Sequence, residues 1–170
     1  MNKNKKIYVP MGADILHSGH LNIIKTARNY GKVIIGLFTD SAISEYKRLP
    51  LINYKQRLEI MKNIKGVNQI VKQETWDYTK NLKKIKPDYL IHGDDWKSGI
   101  QKKMRLKVIK ILSKWGGKLI EVPYTDENKI KIDKDNISEI FSNPNTRVSR
   151  LKRLINSKKI VRFIESHNPL

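Results

Sequence analysis

Apolar residues recur along the chain in two alternating rhythms, one of strand length and one of helical period. Lys6 to Val9 reads as a buried first strand that stops at Pro10. From Ser18 to Tyr30, the residues Leu21, Ile23, Ile24 and Ala27 share one helical face, and Gly31 ends it. Val33 to Phe38 is a near-continuous apolar run, as a parallel strand covered on both faces would be. A short helix is expected over Ser41 to Tyr46, followed by the basic loop Lys47-Arg48-Leu49-Pro50. Asn53 caps a helix from Tyr54 to Ile64, with Leu58, Met61 and Ile64 inward and Gly66 as its stop. Gln69 to Lys72 is a short strand, Thr79 to Ile85 a helix, and Tyr89 to Ile91 the next strand. A helix from Gln101 to Trp115 turns Met104, Val108, Ile111 and Leu112 inward, and Leu119 to Val122 is the fifth strand.

This strict alternation predicts an α/β fold: a Rossmann-like parallel sheet flanked by helices on both faces. After Tyr124 the character changes. Asp126 to Asp135 is polar and without period, and Arg147 to Arg162 carries seven Lys and Arg with no Asp or Glu. Within that stretch Val148, Leu151, Leu154 and Ile155 form a helical stripe, followed by the apolar run Ile160 to Ile164. The expected organisation is therefore a domain over residues 1–145 and a helical C-terminal extension over 146–170.

Composition narrows the partners. The 170 residues contain no cysteine, which excludes disulfides and thiolate metal sites. No apolar run could span a bilayer and no secretory leader opens the chain, so no membrane association and a cytoplasmic location are expected. The net charge of +19 invites a nucleic-acid reading. Lysine far outnumbers arginine, however, and no arginine pairs or stacked aromatics suited to reading bases are evident. No nucleic acid is expected; a diffuse lysine surface also draws in anionic substrates.

Candidate chemistry collects where strands end. The stretch Val9 to Ile24 places a strand, a Gly-bearing loop and His17-Ser18-Gly19-His20 at a helix start. That arrangement suits phosphate: backbone N–H groups and the helix dipole face the anion, and two imidazoles add donors. Lys47 is either a second phosphate charge on a mobile loop or a plain surface lysine. After the fourth strand comes His92-Gly93-Asp94-Asp95-Trp96, whose carboxylates either cap a turn or accept hydrogen bonds from a base, a ribose or a substrate amine. Trp76, between strand and helix, is either core or the wall of a small-substrate pocket.

The H-S-G-H motif resembles the HxGH signature of the nucleotidyltransferase superfamily, in its cytidylyltransferase branch. Thr39-Asp40, Tyr54-Lys55-Gln56-Arg57, Gln73-Glu74-Thr75-Trp76 and Gly93-Asp94-Asp95-Trp96 follow in that family's order across about residues 6 to 125. The tail from Ser149 to Leu170 resembles the opening of a phosphoenolpyruvate phosphomutase domain. The pairing is similar to the bifunctional phosphomutase–cytidylyltransferases of phosphonate biosynthesis.

The resemblance implies transfer of CMP from CTP to a small phosphonate, 2-hydroxyethyl- or 2-aminoethylphosphonate, with Mg²⁺ on the phosphates. Its alternatives are phosphoethanolamine or glycerol-3-phosphate as acceptor, or a degenerate nucleotide-binding scaffold. It assigns His17, His20 and Lys47 to catalysis. Met11, Gly12, Ala13, Asp14, Arg57, His92, Gly93 and Asp95 fall to the nucleotide, and Trp76, Asp77 and Asp94 to the acceptor. For Arg57 a helix-surface salt bridge is the alternative. A homodimer, and fusion to a phosphomutase domain in a longer protein, are also implied. Two departures stand out. Met11-Gly12-Ala13-Asp14 stands where the family reads G-T-F-D, so its threonine contact is missing, and Tyr124 to Ile132 lacks the late arginine and serine-threonine pair, for which Ile137-Ser138, Lys129 or Lys131 are the substitutes at hand.

Overall fold

The computed structural model describes residues 4–97, 101–123 and 144–157. Among the described residues there are five strands: β1 (Lys6–Met11), β2 (Lys32–Phe38), β3 (Gln69–Gln73), β4 (Tyr89–Gly93) and β5 (Lys118–Val122). Between them lie α1 (Ser18–Arg28), α2 (Asp40–Ser44), α3 (Tyr54–Lys62), α4 (Thr79–Ile85) and α5 (Lys102–Leu112), with a 3₁₀ turn at Asp94–Lys97. The sheet order is β3-β2-β1-β4-β5, every pairing parallel. This is the Rossmann-like α/β sheet expected from the alternation.

Two apolar layers hold it. On one face Ile7, Val9, Ile35 and Ile91 pack with Ile24 and Ala27 of α1 and Met61 of α3. On the other, Tyr8, Ile34 and Leu90 pack with Leu82 of α4 and Val108, Ile111 and Leu112 of α5. Because strand side chains alternate, each of these strands contributes to both layers, which is why its sequence runs apolar without a break. Tyr8 lies over Gly36, where any Cβ would collide with its hydroxyl; the phenol donates to Gln73 Oε1 at 2.6 Å.

The order reverses at β1, with β2 on one side and β4 on the other, so the crevice of this doubly wound sheet opens between the carboxyl ends of β1 and β4. The pairing between β1 and β4 covers only Ile7 with Tyr89 and Tyr8 with Leu90. β1 nevertheless continues through Pro10 to Met11, paired to β2 alone. The expectation that Pro10 ends the strand is corrected here: without an N–H it cannot extend both ladders, but it stays in register with Gly36 on one side.

Several helix ends differ from the periodicity. α1 closes at Arg28 and α3 at Lys62, because Asn29 and Asn63 already take the capping bonds. Leu21, expected inward, is 47% exposed. In the C-terminal part, α6 (Pro144–Ser157) forms across the expected 145/146 boundary. The chain divides into compact units Met1–Ile130 and Lys131–Leu170. Tyr124 to Ile132, Ile137-Ser138 and Ile160 to Ile164 lie outside the described residues.

Candidate active site

The first strand delivers a short loop to the head of α1. Met11 and Ala13 turn their side chains into the core, at 4% exposure each, so at these positions only the backbone is available to a nucleotide. Ala13 takes the left-handed conformation, φ 50°, which is uncommon for a residue with a Cβ and reverses the chain sharply after β1. Asp14 ties this loop to the next one: it accepts from the Ile52 N–H at 3.0 Å and pairs with Arg48 at 3.0 Å.

His17 is the N-cap of α1. Its backbone is extended and its Nδ1 accepts from the Gly19 N–H at 3.1 Å. An accepting Nδ1 fixes the neutral tautomer with the proton on Nε2, so the donor left for a ligand is Nε2–H. The His20 ring lies beside it, centroids 4.0 Å apart and tilted by 50°. Burial, the neighbouring His17 and the Lys47 ammonium together push His20 down to about 4; burial alone lowers His17. Both imidazoles are therefore neutral at physiological pH, each carrying one N–H that can donate. His20 Nδ1 is buried with no partner among the described residues.

At the end of β4, His92 Nδ1 donates to the Gly93 carbonyl at 2.8 Å, which leaves Nε2 as an acceptor. Its ring stacks flat on Trp96, centroids 3.9 Å apart at 8°. Trp96 is itself fixed, donating from Nε1 to Glu121 at 2.8 Å, while Arg105 grips the same carboxylate through two nitrogens. Burial lowers His92 and Lys47 lowers it further, against the Gly93 carbonyl, Asp95 and Glu121. Asp95 is exposed, its carboxylate 3.6 Å from His92 Nδ1; Asp94 pairs with Lys97 at 3.7 Å. The carboxylates thus shape the turn, and Asp95 also stays open to solvent.

The structure brings His17, His20, Lys47 and His92 into one electrostatic neighbourhood at the topological switch point. It places Arg57 and Asp77 differently from the expectation. Arg57 is neither surface nor ligand-facing: its side chain is fully buried and donates to Gly12 O, Ile52 O and Asp40 Oδ1. Asp77 accepts from the Thr79 N–H and hydroxyl and from Lys107, so its carboxylate is engaged within the protein. Burial pushes its carboxyl up, and Lys107 with Thr79 outweighs that and holds it below the ordinary range. Trp76 stacks on Phe38 at 5.7 Å and lies tilted against Tyr46 at 3.6 Å between centroids. Tyr46 was not singled out by the sequence; its position next to Lys47 was the available signal.

Residues 13–138 match the family model described as cytidylyltransferase-like. The chain belongs to that family. Among cytidylyltransferase-like relatives, the FAD synthase of Methanohalophilus mahii is 37% identical over 82 residues, 48% of this chain and 58% of that protein. The bifunctional protein HldE of Aliarcobacter butzleri is 36% identical over 99 residues, 56% of this chain and 21% of its own length. The ethanolamine-phosphate cytidylyltransferase of Dictyostelium discoideum is 29% identical over 97 residues, 54% of this chain and 27% of that one. The chain thus spans about three fifths of the FAD synthase and smaller shares of the other two. A lipopolysaccharide core biosynthesis protein from Thermoplasma volcanium shares the fold, with TM-score 0.59 at 21% identity over 71% of this chain and 96% of that one. These relatives support a nucleotidyltransferase of the cytidylyltransferase-like family and lie outside the phosphonate branch that the tail suggested.

Proposed function

We propose that this protein transfers CMP from CTP to a small acceptor bearing a phosphate, ethanolamine phosphate foremost, releasing pyrophosphate. The observation that carries the reading is the pair of neutral imidazoles at the head of α1, beside Lys47 and the β4 turn. The family and the ethanolamine-phosphate cytidylyltransferase relatives support it.

Nucleotidyl transfer asks for positioning and charge stabilisation more than for covalent chemistry. An acceptor phosphate oxygen forms a bond to the α-phosphorus as the bond to the pyrophosphate oxygen breaks, and the electron pair leaves with pyrophosphate. His17 Nε2–H and His20 donate to the phosphate oxygens, and Lys47 offsets their growing charge. His92 Nε2 accepts from the cytosine amine or from the ammonium of the acceptor. Among the described residues no three metal-ligating side chains cluster, and Asp14 is held by Arg48 and Ile52. Among the described residues these side chains do not form a resident metal cage.

A phosphonate presents nearly the same oxygens as a phosphate ester, so 2-aminoethyl- and 2-hydroxyethylphosphonate are the competing acceptors. The deciding experiment is pyrophosphate release from CTP against ethanolamine phosphate, glycerol 3-phosphate and the two phosphonates, with ATP plus flavin mononucleotide as a further arm. Ethanolamine phosphate reacting fastest supports the proposal; a faster phosphonate or the flavin arm replaces it.

A further inference from the structure

From the packing around Lys47 we infer that Tyr46 is a positioning residue: its ring, braced by Trp76 and Phe38, holds the Lys47 ammonium where the nucleotide phosphates arrive. The inference rests on the proposed role of Lys47.

Lys47 has a long, flexible stem on an exposed loop and forms no ion pair among the described residues. Its ammonium instead lies over the Tyr46 ring, 5.4 Å from the centroid. A cation at that distance is attracted by the negative face of the ring. The ring is not free to follow the lysine. It lies 3.6 Å from Trp76 and 6.1 Å from Phe38 between centroids. Phe38 is buried at the end of β2, and Trp76 stacks on it at 24°. A polar tie adds to this: the Trp76 N–H donates to the Glu45 carboxylate at 2.9 Å, joining its loop to the residue before Tyr46.

The platform therefore stands on a strand end, and the lysine above it affects both His20 and His92. Such a brace reduces the rotamers Lys47 must give up on meeting phosphate, which lowers the barrier through pre-organisation. It also accounts for Trp76, whose ring is stacked on Phe38 and packed at a tilt against Tyr46 and so serves as a support before it can serve as a wall.

A double-mutant cycle on the full chain tests this, reading CTP affinity by calorimetry and CTP turnover in the pyrophosphate assay, with melting curves for every variant. Tyr46→Leu should lower turnover about 5- to 30-fold, the range a cation–π contact supports. Tyr46→Phe keeps the ring and should stay within about twofold of wild type. In a Lys47→Ala background Tyr46→Leu should cost less than about twofold, because the group it positions is gone. Equal losses in both backgrounds, or a Phe variant as poor as Leu, overturn the inference. If Lys47→Ala alone turns over CTP normally, the proposed role of Lys47 fails first, and the inference fails with it.

Discussion

The Arg57 guanidinium lies 2.8 Å from Asp40 Oδ1 with no exposure of its side chain, so this pair belongs to the protein interior rather than to a ligand. It joins β1's loop, the head of α2 and the segment before α3 through Gly12, Asp40 and Ile52. Removing a fully buried guanidinium takes away three hydrogen bonds at once, a loss of up to about 3–5 kcal/mol even though Asp40 itself keeps some exposure. Arg57→Ala should therefore lower the urea midpoint strongly. Arg57→Lys should rescue little, since an ammonium cannot reproduce the fork that meets three acceptors. A nucleotide contact would give the opposite pattern: a normal midpoint with weakened CTP affinity.

The strand–helix alternation was readable because both sheet faces are covered, so burial imposed apolar runs on the central strands β1, β2 and β4. His17 and His20 were readable because a local motif holds them on one helix turn. Arg57 was not. Its three acceptors come from segments that are distant in sequence, and the pattern Y-K-Q-R looks the same whether the arginine faces a ligand or the core. Asp77 escaped for a related reason: its partner Lys107 lies on α5, thirty positions on. Tyr46 illustrates a third limit. The stack on Trp76 depends on where the loop after β3 lands, which no spacing along the chain encodes.

His17 has two separable roles, and substitution can part them. Its Nδ1 caps α1, so His17→Ala should lose about 1 kcal/mol of stability as well as activity. Asparagine is a strong cap but places no donor where Nε2–H sits. His17→Asn should melt near wild type and still lose on the order of 10²–10³ in CTP turnover, as removal of one pre-organised donor does. Normal turnover by the Asn variant would reduce His17 to a helix cap.

The C-terminal part separates from the catalytic reading. The first compact unit ends at Ile130 and the family match at residue 138. A chain shortened to residues 1–145 should fold and bind CTP with the affinity of the full chain, measured by calorimetry. Loss of the thermal transition on truncation would assign α6 to the core of the first unit.

Acid should act on His20 in two opposite directions. Burial, with help from His17 and Lys47, lowers its folded value to about 4, whereas in the unfolded chain it titrates near 6.5. Between those values the unfolded state binds more protons, so stability is complete above about pH 6.5 and is lost as pH falls toward 4. The full difference corresponds to at most about 3 kcal/mol. His17 and His92 are lowered as well and act in the same sense. Urea titrations at pH 7.5 and pH 5 should show wild type losing stability on acidification and His20→Ala losing distinctly less. Phosphate oxygens against the ring favour its charged form, so bound CTP should raise His20 again and protons should be taken up on binding. Calorimetry at pH 6 in buffers of different ionisation enthalpy reads that uptake directly. If His20→Ala takes up as many protons as wild type, the imidazole does not meet the phosphates, and its place in the transfer mechanism is lost.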